Sequence, residues 1–497
     1  MWDEIKNLLK HTSVYGFGNL LGKLAGFLLI PFYTHYFRPA EYGTLELLDL
    51  SLALITMLLN VWVAPPVLRF YFEYDDQVER NRVVSTALLA AIIGGALIGG
   101  LGLTFSKGLS TLLLKSPVFS LYIQLMSVSA ALALINSVAY NYLRARQRSG
   151  FIVFMNTVSL VLSLLLNIYF IAFLKIGILG VLISSLVANY LLNTAVVLTL
   201  TIRDVGLVFD YQKLKSFTKF GAPLIFTNLG SFILNFSDRF FLQHFSTVAV
   251  VGIYALGYKF GFMLSFLLIQ PFNLIWSARM YDIAKRADGR QMISKFAGYF
   301  CLILAIGVLT TSVIIKDVIK ILGAPDFRAA YKIVPLIAFS YLFQGMAYYF
   351  QTGIFIQKKT IYLGMIGIIA AISNVLLNFL LVPAYAGMGA AWATVLSFLL
   401  VVILAYVFSQ KVYPVPYNIP KLCMPIVLAI VTYLVSTTIS ISSPALSIVT
   451  KLLLILPFLA VLDILGFFEK DEKEKFRSLL GIFLTPSRWR AAILPGR

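Results

Sequence analysis

Apolar residues in this chain neither alternate with polar ones nor recur on one face of an otherwise polar helix. They run continuously, segment after segment, in stretches rich in Leu, Ile and Gly. A continuous run of about 20 apolar residues is what a helix needs to cross a bilayer, and a soluble core cannot absorb so many of them. Spanning strands would show alternating segments of roughly ten residues, so helices, which satisfy their own backbone groups, are predicted. Fourteen spans follow, near 12–36, 42–68, 83–106, 118–143, 150–174, 177–202, 218–243, 248–277, 295–315, 331–356, 361–382, 387–409, 421–440 and 445–467. The expected fold class is an all-α polytopic membrane protein.

Basic residues accumulate in alternate loops, which sets the orientation, because Lys and Arg resist translocation. Lys6 and Lys10, Arg80 and Arg82, Arg144, Arg146 and Arg148, Lys213, Lys215 and Lys219, Lys285, Arg286 and Arg290, and Lys358 and Lys359 all fall on the side of the N-terminus. Both termini are therefore expected in the cytoplasm, the protein being placed in the cytoplasmic (inner) membrane. The opening MWDEIKNLLK leads into a span without a small-residue cleavage site, which argues against a removable signal peptide.

Sliding the chain against itself by 209 positions aligns Phe17 with Phe226, Asn19 with Asn228, Phe27 with Phe236, His35 with His244 and Gly43 with Gly252. A shift of 211 aligns Arg146-Gln147-Arg148-Ser149 with Gln357-Lys358-Lys359-Thr360 and Leu166-Asn167 with Leu377-Asn378. An even number of spans per repeat makes the two lobes parallel, related by a pseudo-two-fold along the membrane normal, which favours a transporter. The expected division is a six-helix lobe over 1–203, a cytoplasmic linker over 204–217, a second six-helix lobe over 218–410, two further helices within 411–467, and a cytoplasmic tail over 468–497. The tail passes from a charged stretch into Leu479-Leu480-Gly481-Ile482, compatible with an interfacial amphipathic helix.

Composition narrows the function. The chain is 60% hydrophobic and 12% charged, with a formal net charge of +19. That excess sits mostly in short loops and is explained by membrane topology, so no nucleic-acid partner is implied. No phosphate-binding loop is present, since Gly18-Asn-Leu-Leu-Gly22-Lys23 has the wrong spacing. His11, His35 and His244 are too dispersed for a metal centre, and Cys301 and Cys423 lie in apolar spans as packing residues. Neither an enzyme nor a cofactor is indicated.

Lys23, Arg239 and Lys259 stand inside apolar stretches. A cation at mid-membrane normally faces a watery cavity or a counter-charge, and a mainly positive set points to an anionic cargo. Arg69, at the cytoplasmic end of the second span, extends the set toward a basic ladder. Glu46 and Asp49 share one face of that span and, with Asp238, are candidates for a gate against Arg239 or for a coupling-ion site. Asn136 and Tyr140, and Gln344, Tyr348 and Gln351 on one helical face, are candidate sugar contacts, though amides and aromatics also join transmembrane helices.

Several segments resemble the polysaccharide transport family of oligosaccharide flippases. They are Tyr15-Gly-Phe-Gly-Asn19, Lys23 to His35, Pro39-Ala-Glu-Tyr-Gly43, Arg69-Phe-Tyr-Phe-Glu73, Ser237-Asp238-Arg239, Gly252 to Lys259, and Asn374 to Thr394. That family belongs to the multidrug, oligosaccharidyl-lipid and polysaccharide exporter superfamily. The resemblance covers nearly the whole chain and implies translocation of a polyprenyl-diphosphate-linked oligosaccharide from the cytoplasmic to the outer leaflet by alternating access through a basic central cavity. It implies Lys23, Lys259, Arg239 and Arg69 as diphosphate contacts, membrane lipids as surroundings, and polysaccharide polymerase or ligase machinery as candidate protein partners of a monomer. Alternatives are a lipid II flippase, a multidrug cation exporter, which would favour buried carboxylates, and a membrane glycan polymerase or ligase, which would carry a large catalytic outer loop.

Overall fold

A backbone amide in hydrocarbon has no water to bond, so each apolar run closes its hydrogen bonds internally. The computed structural model describes residues 26, 29–439 and 441–469, and every regular element among them is helical. Ten of these helices are long and apolar enough to cross a membrane, or up to 12 if each of two bent pairs counts as one span. The expected fourteen is not reached in this count. The first expected span is described only at 26 and 29–36, and Ile361–Val412, 52 residues long, merges two of the others. It is broken at Ala386 (φ 47°, ψ −125°), just beyond Pro383. At 1.5 Å per residue it would extend roughly 78 Å unbroken, against a hydrocarbon core of about 30 Å, so each arm is a span in its own right.

The bends have local causes. Tyr211–Phe236 meets Asp238–Phe245 at 53° across Ser237, and Pro325–Lys332 meets Val334–Ile356 at 42°, where Pro335 lacks the N–H that would continue the ladder. Pro271 follows the π-helical stretch Ser265–Ile269, and Pro223 lies inside Tyr211–Phe236.

Packing divides the chain into two units. One holds the described residues up to Lys259 with Leu322–Ile337 and Ile361–Val401; the other holds Phe260–Ile321, Ala338–Thr360 and the described residues from Val402 on. The first has a core in which Val67, Val83, Ala87, Val138, Tyr142 and Phe217 are sealed from solvent, between Ala64–Tyr71, Gln77–Thr104, Ser120–Ala145 and Tyr211–Phe236. The turn before Tyr211–Phe236 and that helix's first residues are tied to this core: the amide of Asp210 donates to Thr86 Oγ1 (3.1 Å), and Lys213 Nζ meets Glu79 (2.8 Å). In the second unit Phe272 stacks on Phe300 (3.7 Å between centroids), and Trp276 donates to Thr352 Oγ1 (2.8 Å). Cys301 is buried there and Cys423 exposed.

The repeat is written into local backbone geometry. In the turn after Ala145, Arg148 N–H bonds Leu143 C=O (2.9 Å) and Gln147 N–H bonds Arg144 C=O (2.9 Å), with Gln147 at φ 55°. At the positions 211 residues on, Lys359 N–H bonds Ile354 C=O (3.0 Å) and Lys358 N–H bonds Phe355 C=O (3.1 Å), with Lys358 at φ 56°. Both are Schellman caps with a non-glycine residue in the left-handed position. The same shift carries the positive-φ Lys175 onto Ala386, and carries Asn167, which donates to Ser163 C=O (2.7 Å), onto Asn378, which donates to Asn374 C=O (2.9 Å). Gly43 and Gly252, equivalent under the 209 shift, also touch: a Cβ on Gly43 would meet the amide nitrogen of Gly252 at 2.8 Å, and one on Gly252 that of Gly43 at 2.9 Å. Pro39–Asn60 and Val248–Leu264 thus cross at repeat-related glycines, where only the missing side chains permit contact.

Candidate functional site

The glycine crossing brings a lysine and a glutamate together. Lys259 is the twelfth residue from Val248, about 17 Å inside a helix long and apolar enough to cross a membrane. Its ammonium donates to Glu46 Oε2 (2.9 Å) and to the Tyr42 hydroxyl (3.0 Å), and it lies 4.9 Å from the centre of the Tyr42 ring. Tyr42 is held edge-on by Phe327 (5.5 Å). The Lys259 side chain remains 39% exposed whereas Glu46 is 9% exposed, so the cation is paired yet reachable.

Arg239 is differently placed. It is 1% exposed, the largest fully buried side chain among the described residues, and sits just past the 53° bend. Its guanidinium donates to Asp238 Oδ1 (2.6 Å) and to Asn235 C=O (2.7 Å) and lies 3.6 Å from the centre of the Tyr258 ring, with Tyr254 and Phe236 further out. The Tyr254 hydroxyl donates to the other oxygen of Asp238. The expected gate pair between Glu46 and Arg239 is therefore not the one observed. Glu46 holds Lys259, and Asp238 holds Arg239, because adjacency in sequence and the aromatic cage satisfy the guanidinium locally.

Asp49, three residues beyond Glu46, is exposed toward a cavity of ≈170 Å³ shared with Tyr33, Ser129, Asn167 and Asn189. Tyr33 donates to Asn167 Oδ1 (2.9 Å). Arg69 is exposed at the end of the Ala64–Tyr71 helix, its guanidinium 4.8 Å from the Phe220 ring centre. Lys23 lies outside the described residues.

Asn136 and Tyr140 line a second cavity of ≈400 Å³. Sequence reading missed their partners: Tyr140 donates to Asn193 Oδ1 (2.8 Å), Asn193 Nδ2 to Ser159 Oγ (2.9 Å), and Thr194 to Asn136 Oδ1 (3.0 Å). The signal was available, since Asn156, Asn189 and Asn193 interrupt apolar runs as Asn136 does. Gln344, Tyr348 and Gln351 belong to the other unit, where Gln344 is buried, Gln351 half-buried and Tyr348 43% exposed.

No group of three or more His, Cys, Asp or Glu side chains suited to a metal ion occurs among the described residues. The arrangement suits binding and conformational exchange: one accessible cation on a carboxylate, a caged arginine at a helix bend, and uncharged polar cavities within the spans.

Comparison with known proteins locates this arrangement in a family. The chain is 24% identical over 322 residues to the Lsg locus putative protein 1 of Haemophilus influenzae, covering 64% of this chain and 77% of that one. An uncharacterized membrane protein of the same organism is 24% identical over 269 residues, 53% of this chain and 63% of its own length. Among solved structures, the lipid II flippase MurJ in an inward closed conformation superposes with a TM-score of 0.74 at 14% identity, covering 91% of this chain and 98% of that one. An inward-facing multidrug resistance MATE family transporter of the MOP superfamily gives 0.64 at 13% identity, covering 78% and 94%. Likeness at that identity establishes the fold alone, and with the long apolar helices it makes this a multi-pass membrane protein. A family model described as polysaccharide biosynthesis protein matches residues 8–276, more than half the chain, and the chain belongs to that family.

Proposed function

We propose that the protein is a flippase carrying a polyprenyl-diphosphate-linked oligosaccharide from the cytoplasmic to the outer leaflet by alternating access, as a monomer in the cytoplasmic membrane with both termini in the cytoplasm. The observation that carries this reading is Lys259, a cation well inside a spanning helix, 39% exposed and balanced by Glu46. A diphosphate is the natural competitor for that ammonium. In the proposed cycle the cargo phosphate displaces Glu46 from Lys259, and the released carboxylate changes the balance between the two access states. Arg69, exposed near the cytoplasmic end of its span, is a first contact for the anion, and Lys23 is assigned a phosphate role by its sequence alone. Arg239 serves here as a lock on the helix bend, reachable by phosphate only after leaving its cage. Polymerase or ligase machinery would receive the product at the outer face.

A lipid II flippase is the second reading, favoured by the fold likeness to MurJ across 91% of the chain. Translocation in proteoliposomes separates the readings. A fluorescent polyprenyl-diphosphate oligosaccharide, lipid II and a cationic dye are compared with wild-type protein and with Lys259→Gln. Movement of the oligosaccharide lipid, lost in Lys259→Gln, supports the proposal; movement of lipid II alone selects the second reading, and movement of the dye alone sinks both.

A further inference from the structure

The ≈400 Å³ cavity in the first unit is lined by Asn136, Tyr140, Asn156, Ser159, Asn189 and Asn193, with Ala133, Ser137, Leu160 and Tyr190, and no charged side chain lines it. We infer that this groove is a saccharide subsite, separate from the charged cluster around Lys259 and recognising an uncharged, hydroxyl-rich part of the cargo. The inference rests on the flippase reading and deepens it.

Three observations carry it. Asn156 lies seven residues, about 10 Å, inside the Ser149–Ile168 helix, is exposed, and makes no side-chain hydrogen bond among the described residues. An unsatisfied amide against acyl chains is costly, so this side of the groove meets water or a polar ligand. Next, the helix carrying Asn189 and Tyr190 runs through a π-helical stretch, Leu186–Leu191, and the Tyr190 carbonyl accepts from Asn136 Nδ2 (3.4 Å). Such stretches offset the ladder and present backbone and side-chain groups to a site. Last, Asn193 and Ser159 are nearly sealed from solvent and fix the Tyr140 hydroxyl from behind, so the polar wall is preorganised. Amides that both donate and accept, beside an aromatic face, match sugar hydroxyls and ring C–H groups; a diphosphate would require cations instead. The volume lies at the lower end of the ~300–1,000 Å³ of small-molecule sites, which suits a short saccharide.

The test uses the full chain in lipid nanodiscs. With Cys423→Ser as background, Asn156→Cys is labelled with a maleimide in the presence of N,N′-diacetylchitobiose, maltotriose or inorganic diphosphate. Slower labelling with a saccharide but not with diphosphate is expected; equal slowing by diphosphate, or no slowing by either saccharide, overturns the subsite. In a second arm, Asn156→Leu and Tyr140→Phe are compared with wild type for binding of polyprenyl diphosphate with and without an attached oligosaccharide. Loss of about one hydrogen bond's worth of affinity, roughly tenfold, for the sugar-bearing lipid alone is expected. Equal losses for both lipids, or none, count against it. If saccharides protect Asn156→Cys while wild type translocates no lipid, the flippase reading falls and the subsite stands; the converse result removes the subsite and leaves the flippase.

Discussion

Arg239 and Lys259 are two cations in apolar sequence with opposite environments, and substitution should separate them. Arg239 and Asp238 show 2% and 3% side-chain exposure, and removing one member of such a pair strands the other, at a cost of about 3–5 kcal/mol. Arg239→Gln should therefore lower thermal stability in detergent and reduce the yield of folded protein. Lys259 is more than a third exposed, so its pair with Glu46 is screened on one side, and Lys259→Gln, which keeps an amide donor beside the buried carboxylate, should destabilise less than Arg239→Gln. It should nonetheless abolish glycolipid movement in proteoliposomes. Equal melting temperatures for the two variants would contradict this contrast. Sequence alone identified all four charged residues and left two partners open for Arg239, its neighbour Asp238 or Glu46 across a gate; it offered no partner for Lys259. That both cations interrupt apolar helices was legible, whereas the reach of Lys259 past the glycine crossing depends on which faces meet. That Asp49 opens on a cavity while Glu46 is covered was equally invisible, because both share one helical face.

At the scale of elements, the repeat predicts which positions matter together. A methyl group added at Gly43 or Gly252 would overlap backbone of the opposite helix, which cannot rotate aside. Gly43→Ala and Gly252→Ala should each destabilise by about 1–3 kcal/mol, the usual range for overpacking, and should impair transport alike. Gly100→Ala and Gly108→Ala meet nothing within 4 Å and should gain up to ~1 kcal/mol from helix propensity. Thermal unfolding of the four variants checks the pattern, and indifference at Gly43 would mean that the crossing is not close. Gln147, held at φ 55° in its Schellman cap, gives the opposite sign: Gln147→Gly should stabilise by a few tenths to about 1 kcal/mol, seen as a raised unfolding temperature. Much of this was legible, since the shifts of 209 and 211 had already paired Gly43 with Gly252 and Gln147 with Lys358. Self-comparison of the sequence could not reveal that one pair touches while the other caps two separate helices. The break at Ala386 was legible too, since the apolar run was divided there into spans at 361–382 and 387–409, with Pro383 between them.

For the whole molecule, the question is whether the last two spans are an appendage, as their place outside the repeat implies. Asp317 of Gly289–Leu322 accepts from Lys451 Nζ (2.8 Å) and Ser447 Oγ (2.8 Å), both in Pro444–Leu452. The ion pair is buried, at 7% and 3% side-chain exposure. Deleting the chain beyond Val412 would strip the Asp317 carboxylate of both partners and uncover the face of Gly289–Leu322 that carries it. The remnant ending at Val412 should accordingly fail to accumulate as a monodisperse species in size-exclusion chromatography. Steric loss from the deletion can be separated from loss of the charge pair by point variants. Lys451→Met alone should destabilise by about 3–5 kcal/mol, whereas Asp317→Leu with Lys451→Met, which removes both charges, should be close to neutral or stabilising. If the single variant is as stable as the double, the pair is decorative and the two spans are bound by apolar packing. If the remnant ending at Val412 also folds and moves glycolipid, they are an appendage in function as well as in sequence. The opposite outcome would make these spans a structural part of the second unit, joined by a contact that repeat analysis cannot register because it has no counterpart in the other half.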